Sequence, residues 1–331
     1  MGARVQRSIA IALDLLTSVI KSAWASKGQV ATLLSLDIAG AFDTVVHSRL
    51  VAVVQKLGFP QWVSKWVASF LSDRTTRFSF AGEISEEFSP QAGVPQGSPL
   101  SPILFLLYNT ELIRIYSLPK QGLHVGGFVD DMHLIAISSS TETNCDKLAE
   151  AHRKILGCAQ RYGIRFAPAK YELVHFTRAR NRFNLVTTIQ LGQGTEYVPS
   201  PSIRVLGIWL DMKLNWKAHA KVVREKGAIA LTALSRLNQT TWGPTLRRAR
   251  VLYTACVRTA LTYGAEAWHE PGKRGAVERE LERAQAVCLR KITGAYRATP
   301  NREVEAEAAI PPISVYCDEK LRKFFERQKD T

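Results

Sequence analysis

The chain is 331 residues long, 46% hydrophobic and 22% charged, with 44 Lys and Arg against 29 Asp and Glu. That profile excludes a disordered or fibrous polypeptide and leaves room for two or three subdomains. The formal charge of +15 favours a polyanionic partner, either nucleic acid or an anionic membrane surface. Residues 201–331 hold 24 basic and 14 acidic residues, so ten of the fifteen net charges lie there, and this part is the better candidate for gripping phosphates. Five scattered cysteines, Cys145, Cys158, Cys256, Cys288 and Cys317, include no C-x-x-C pair, which argues against a disulfide framework and a zinc site. No run of 18 or more apolar residues exists, so no spanning helix is expected, and of the two polyanionic partners nucleic acid rather than a membrane is the expectation.

In chain order, Ser8 to Trp24 places Ile9, Ala12, Leu16 and Ile20 at helical spacing. The first 28 residues carry Arg4, Arg7, Lys21 and Lys27 with Asp14 as their one acid, a composition shared by mitochondrial transit peptides and ordinary amphipathic helices. Val30 to Leu36 reads as a buried strand. Helices are predicted over Ser48 to Leu57 and Gln61 to Leu71, broken by Gly58-Phe59-Pro60. A hairpin is predicted around Ala81-Gly82, then a Pro- and Gly-rich loop from Ser89 to Pro102, then a long helix from Leu104 to Tyr116. Leu123 to Val129 and Met132 to Ser138 read as a tight hairpin with Asp130-Asp131 at its tip. A helix from Asn144 to Tyr162 and strands near Glu172 to Phe176, Phe183 to Leu191 and Ile203 to Trp209 complete an α+β unit. Beyond about Asn215 three helices follow, Trp216 to Leu237, Pro244 to Tyr263 and Gly275 to Ile292, which places a subdomain boundary near 200–215.

Three acids stand out by position. Asp37 ends a buried strand, where an ionised carboxylate is costly unless it is paired or binds a cation. Asp130 and Asp131 repel each other at a hairpin tip, and a divalent cation offsets that repulsion. On residue type alone an Asp pair also suits a simple turn. If the two strands are neighbours, carboxylates from both can hold two Mg²⁺ ions, the arrangement that clamps attacking and leaving oxygens in phosphoryl transfer.

The segment Leu34-Ser35-Leu36-Asp37-Ile38-Ala39-Gly40-Ala41-Phe42-Asp43 resembles the first palm motif of reverse transcriptases of non-LTR retrotransposons. Gly93-Val94-Pro95-Gln96-Gly97-Ser98-Pro99-Leu100-Ser101-Pro102 is similar to that family's Pro-Gln-Gly loop, and Phe128-Val129-Asp130-Asp131 to its aromatic-x-Asp-Asp box. The likeness continues through Lys170 to Phe176, Val205-Leu206-Gly207 and Tyr263 to Trp268. It implies a right-hand polymerase palm, an antiparallel sheet backed by helices, over 29–212. It further implies an all-helical basic thumb over 213–331 and a residual fingers helix over 1–28.

Roles follow from the same resemblance. Asp37, Asp130 and Asp131 match metal-binding carboxylates, with the Ile38 carbonyl as a further ligand. Phe42 matches the residue under the nucleotide sugar, Gln96 and Gly97 a loop near the incoming base pair, and Lys170 a general acid for the leaving pyrophosphate. Leu206-Gly207 matches the hairpin that holds the primer end. Lys217, Lys221, Arg224, Arg247 and Arg248 are expected to track an RNA template and DNA primer, with dNTP as substrate and two Mg²⁺ ions as cofactor. The family's Arg-x-Gly-Arg-Ser-Thr pattern reads here as Arg4-Val5-Gln6-Arg7-Ser8-Ile9, and most of its fingers region is not represented. The expectation is therefore a truncated polymerase, with an inactive remnant that only binds RNA or hybrid and a maturase-like protein as the alternatives. A separate fingers-bearing or endonuclease polypeptide is the expected further partner. The expected location is the nucleus or cytoplasm or, on the N-terminal composition, the mitochondrion.

Overall fold

Ten consecutive residues, Val30–Ala39, form the central strand β1 of a computed structural model that describes residues 8–26, 28–110, 112–113, 119–192, 194–237 and 242–329. Val30 to Leu34 are buried without alternation, because both faces of this strand are covered. The hairpin strands β4 (Leu123–Phe128) and β5 (Asp131–Ser138) lie on one side, with β5 against β1 in the register Val30↔Ser138 to Asp37↔Asp131. On the other side β6 (Arg165–Phe166) pairs with Ile38 and Ala39, and β7 (Glu172–Phe176) pairs with Ala31 to Ser35. Every pairing in this five-stranded sheet is antiparallel.

The helix Thr141–Tyr162 backs the sheet. Ser140 caps it by accepting a hydrogen bond from the Thr143 amide, and Gly163 ends it in the left-handed conformation. Its buried Leu148, Ala151 and Ile155 share a core with Leu34, Leu36, Leu134, Leu104 and Phe105. Each fully buried Leu or Phe of that set contributes about 1.5–3 kcal/mol relative to exposure. Asn144 Nδ2 ties the helix to β1 by donating to the Val30 carbonyl (2.9 Å) and Thr32 Oγ1 (3.1 Å).

Two compact units are present: Ser18–Ser200 with the chain up to Ala12, and Pro201–Thr331 with Leu13–Thr17. The ribbon of β10 (Ser202–Val205) and β11 (Ile208–Asp211) belongs to the second unit, with the helices Lys217–Leu237, Leu246–Leu252, Arg258–Leu261, Ala265–Trp268, Ala276–Thr293, Asn301–Glu307 and Ile313–Lys329. Short ribbons β2–β3 (Ser79–Phe80, Glu83–Ile84) and β8–β9 (Ile189–Leu191, Thr195–Tyr197) complete the first unit. Among the described residues no helix is long and apolar enough to cross a membrane.

Several local expectations are corrected. The tip of the acidic hairpin is Val129-Asp130, while Asp131 already belongs to β5 and faces Phe128 and Asp37. Val129 takes φ 58° there, a conformation that a β-branched residue does not advertise. Ile203 to Trp209 is a hairpin turning at Leu206-Gly207, both at positive φ. The strand expected from Phe183 begins only at Ile189, because the Asn184 carbonyl is taken up by the hydroxyls of Thr141 and Thr187. The helix expected from Pro244 to Tyr263 is interrupted by a π-helical turn, Tyr253–Val257. The helix expected to end at Tyr116 is described over Ser101–Tyr108, and its expected end, like Arg4, Arg7 and Lys27, lies outside the described residues.

Candidate active site

Register places the first-unit acids together. Asp37 and Asp131 are direct partners across β1 and β5, and the Ile38 amide donates to the Asp130 carbonyl at 3.2 Å, locking the tip to β1. Ile38 itself is buried in the core. On the other side of β1 the Ala167 amide donates to the Asp37 carbonyl at 2.9 Å, which brings the short helical turn Pro168–Lys170 alongside. Lys170 Nζ forms an ion pair with Asp37 Oδ2. That oxygen is sealed from solvent, with the Lys170 ammonium as its partner.

The electrostatics match this crowding. Burial, then the charges of Asp130 and Asp37, push the Asp131 carboxyl up to about 6, against a smaller opposing pull from Lys170. Asp37, through direct contact and then through its charge, raises Lys170 above the ordinary lysine value. A divalent cation fits this donor set: hard carboxylate oxygens brought together from paired strands, and a like-charge repulsion that a cation would relieve. Among the described residues no three His, Cys, Asp or Glu side chains are gathered tightly enough to hold a metal as they stand.

The Pro-Gln-Gly loop docks onto the segment that follows β1. The Val94 amide donates to the Phe42 carbonyl (2.7 Å), and the Gly93 amide to the Val45 carbonyl (2.8 Å). A Cβ at Gly93 would come within 3.1 Å of the Phe42 carbonyl oxygen, so this approach requires glycine. Gln96 Nε2 donates to Asp43 Oδ1 at 3.0 Å, and Gly97 is exposed beside it. The Phe42 ring packs against Phe105 at 5.4 Å and remains partly exposed.

Residues that motif reading did not single out hold the loop in place. His47 Nε2 meets the Gly93 carbonyl (2.7 Å), and Ser101 Oγ donates to the Pro95 carbonyl (2.6 Å). The Tyr108 hydroxyl accepts from the Val46 amide and donates to the Tyr162 carbonyl. Ser101 sits inside the quoted loop motif, whereas no sequence signal marks the partners of His47 and Tyr108.

In the second unit, the Leu206-Gly207 turn is held by Tyr263, whose hydroxyl donates to the Leu206 carbonyl at 2.9 Å. Asp211 accepts from the amides of Lys213, Asn215 and Lys217, fixing the entry to the helix Lys217–Leu237. Lys217, Lys221 and Arg224 are exposed at spacings of four and three, so they share one helical face. Arg247 and Arg248 are exposed on the helix Leu246–Leu252. Lys226 and Arg258 instead lie over the rings of Tyr263 (5.7 Å) and Tyr316 (4.0 Å).

A family model described as reverse transcriptase (RNA-dependent DNA polymerase) matches residues 1–210. The chain is similar to the RNA-directed DNA polymerase from mobile element jockey of Drosophila melanogaster, 25% identical over 88% of this chain and 31% of that protein. It is also similar to the Pol polyprotein of the type-1 retrotransposable element R2 of Popillia japonica, 36% identical over 31% of this chain and 16% of that protein. Among solved structures, telomerase from Candida albicans, in complex with a fragment of telomeric RNA, aligns over 92% of this chain and 55% of its own. Its TM-score is 0.47 and its identity 14%. The chain spans about a third of the length of the jockey polymerase. With a family model matched across residues 1–210 of its 331, the chain belongs to the reverse transcriptase family.

Proposed function

We propose that this chain carries the polymerising centre and the nucleic-acid grip of a non-LTR retrotransposon reverse transcriptase, copying RNA into DNA. The observation that carries the reading is the opposition of Asp37 and Asp131 across paired strands, with Asp130 at the adjoining tip and Lys170 against Asp37. Residues 29–212 act as palm, 213–331 as thumb and 1–28 as part of a fingers region.

Asp37, Asp130 and Asp131 are the residues that hold divalent cations. These carboxylates would hold two Mg²⁺ ions, whose chemistry would be charge neutralisation at the transferring phosphate and activation of the primer 3′-hydroxyl. Lys170, held protonated by Asp37, delivers a proton to the departing pyrophosphate. The exposed edge of Phe42 lies under the sugar of the dNTP and excludes a ribose 2′-hydroxyl. Gln96 and Gly97 border the nascent base pair. Leu206-Gly207 supports the primer end, and Lys217, Lys221, Arg224, Arg247 and Arg248 follow the template and primer phosphates.

The test is primer extension on an RNA template with Mg²⁺ and dNTPs. Wild-type protein should extend, and Asp130→Asn/Asp131→Asn protein should lose about 10³-fold or more, because several kcal/mol of metal-mediated stabilisation disappear. Undiminished extension by that variant would sink the site assignment. The exposed basic residues Lys217, Lys221, Arg224, Arg247 and Arg248 favour one second reading, a protein that only binds RNA or hybrid. Wild type that binds hybrid in a salt-sensitive way but never extends is the outcome that selects it.

A further inference from the structure

We propose that the loop after β7, carrying Arg178, Arg180 and Arg182, is a second phosphate-binding site for RNA, at the end of the sheet opposite the carboxylates. The proposal rests on the reading that the ligand is nucleic acid and adds a contact in a place the polymerising centre does not use. Ala31 pairs with Phe176, whereas Asp37 lies at the other end of β1. Six residue steps at ~3.3 Å separate the two ends by ~20 Å.

Charge and placement single out this loop. From Leu173 to Thr195 there is no Asp or Glu, while three arginines fall at alternate positions within five residues. All three are exposed, and among the described residues none takes part in an ion pair. Glu142, which meets the chain just after this loop at Thr187, accepts from the Thr187 hydroxyl at 3.0 Å.

Two of these side chains, Arg178 and Arg182, are also seated. The Arg178 guanidinium lies over the Trp24 ring at 4.6 Å, and Trp24 is itself fixed by donating from Nε1 to the Phe176 carbonyl at 3.1 Å. Arg182 lies 5.7 Å from the Phe183 ring centroid and presses against Gly28, where an added Cβ would come within 2.4 Å of its Nη2. Gly28 leaves the space that Arg182 occupies. A guanidinium stacked on a ring keeps its N–H edge free and loses little freedom on binding, which suits bidentate contact with phosphate oxygens.

The test measures affinity of the full chain for a labelled uridine homopolymer RNA across a salt series. Three lost phosphate contacts at about 0.7 each should lower the slope of log affinity against log salt by about 2 in R178A/R180A/R182A. A fourfold rise in salt would then weaken the variant about 20-fold less than wild type. Among the described residues no ring lies beneath Arg180, so R180A should leave the melting temperature unchanged and lower the slope by about 0.7. The triple Lys variant should keep most of the slope with weaker affinity, since charge remains and the fork is lost. Extension of a short primer–template should be unaltered in the triple Ala variant. Unchanged slope and affinity in both R180A and the triple Ala variant would overturn the proposal. Wild type that fails to extend while the slope difference persists would remove the polymerase reading and leave this site standing.

Discussion

The two units use charge in opposite ways. In the unit built on the sheet, three acids converge at one end of two paired strands, where Asp131 is strained enough to titrate at about 6. In the helical unit, Lys217, Lys221, Arg224, Arg247 and Arg248 lie on wet faces with no comparable crowding. A cluster of like charges is costly without a cation, so each member matters greatly and its neighbours are fixed by backbone hydrogen bonds. Basic residues on wet faces act additively, so the loss of any one should be felt as a small change in salt slope.

Lys170 is the sharpest way to break that contrast, because it is a basic residue placed among the acids. Lys170→Ala should lower the rate of nucleotide addition about 10²-fold, the scale of general acid catalysis. Lys170→Arg separates charge from proton donation: it restores the positive neighbour of Asp37 but cannot deliver a proton near neutral pH. Full rescue by Arg would show that Lys170 only neutralises Asp37. Failure of rescue, with the alkaline limb of the rate profile lost, is the expected result. A smaller effect is expected at Phe42, whose ring is anchored on Phe105. Phe42→Val should reduce preference for dNTP over rNTP about 10- to 100-fold, since the discrimination is steric. Equal sugar selectivity in competition assays would refute the gate role.

The same contrast explains what could be read from sequence. Asp37, Gln96 and Lys170 stand in long local patterns, and strand β1 and the helices at 47–71 were visible as apolar periodicity. The phase of the acidic hairpin was not visible, because a two-residue turn led by Val129 at positive φ carries none of the Asn or Gly signals such turns usually show. The helices Asn301–Glu307 and Ile313–Lys329 carry little apolar periodicity because their buried stripe is thin, with Val304 in the first and Ile313, Cys317 and Leu321 in the second. Contacts such as Tyr263 to Leu206 join residues far apart in the chain, and local pattern does not encode them.

The smallest predicted effect compares the units through pH. Asp131 has its folded pKa raised from 3.8 to about 6, so with no divalent cation the folded state takes up a proton before the unfolded chain does. Stability of the first unit should therefore rise as pH falls through 6, by about 1–2 kcal/mol after allowance for solvent screening. In the second unit, His269 is buried between Glu278 (3.3 Å) and Asp318 (2.7 Å). Burial opposes its charge, but the hydrogen bonds to both carboxylates outweigh that and raise its pKa above 6.5. Its contribution is complete below 6.5 and is lost as pH rises through the folded value. The two dependences share a sign but occupy different windows. Added Mg²⁺ competes with the proton at Asp131 and should flatten the first while leaving the second intact, and His269→Gln should do the reverse. Thermal melts from pH 4 to 8, with and without Mg²⁺, read both. A metal-insensitive profile below pH 6 would argue that Asp131 does not bind a cation, whatever the polymerase assay shows.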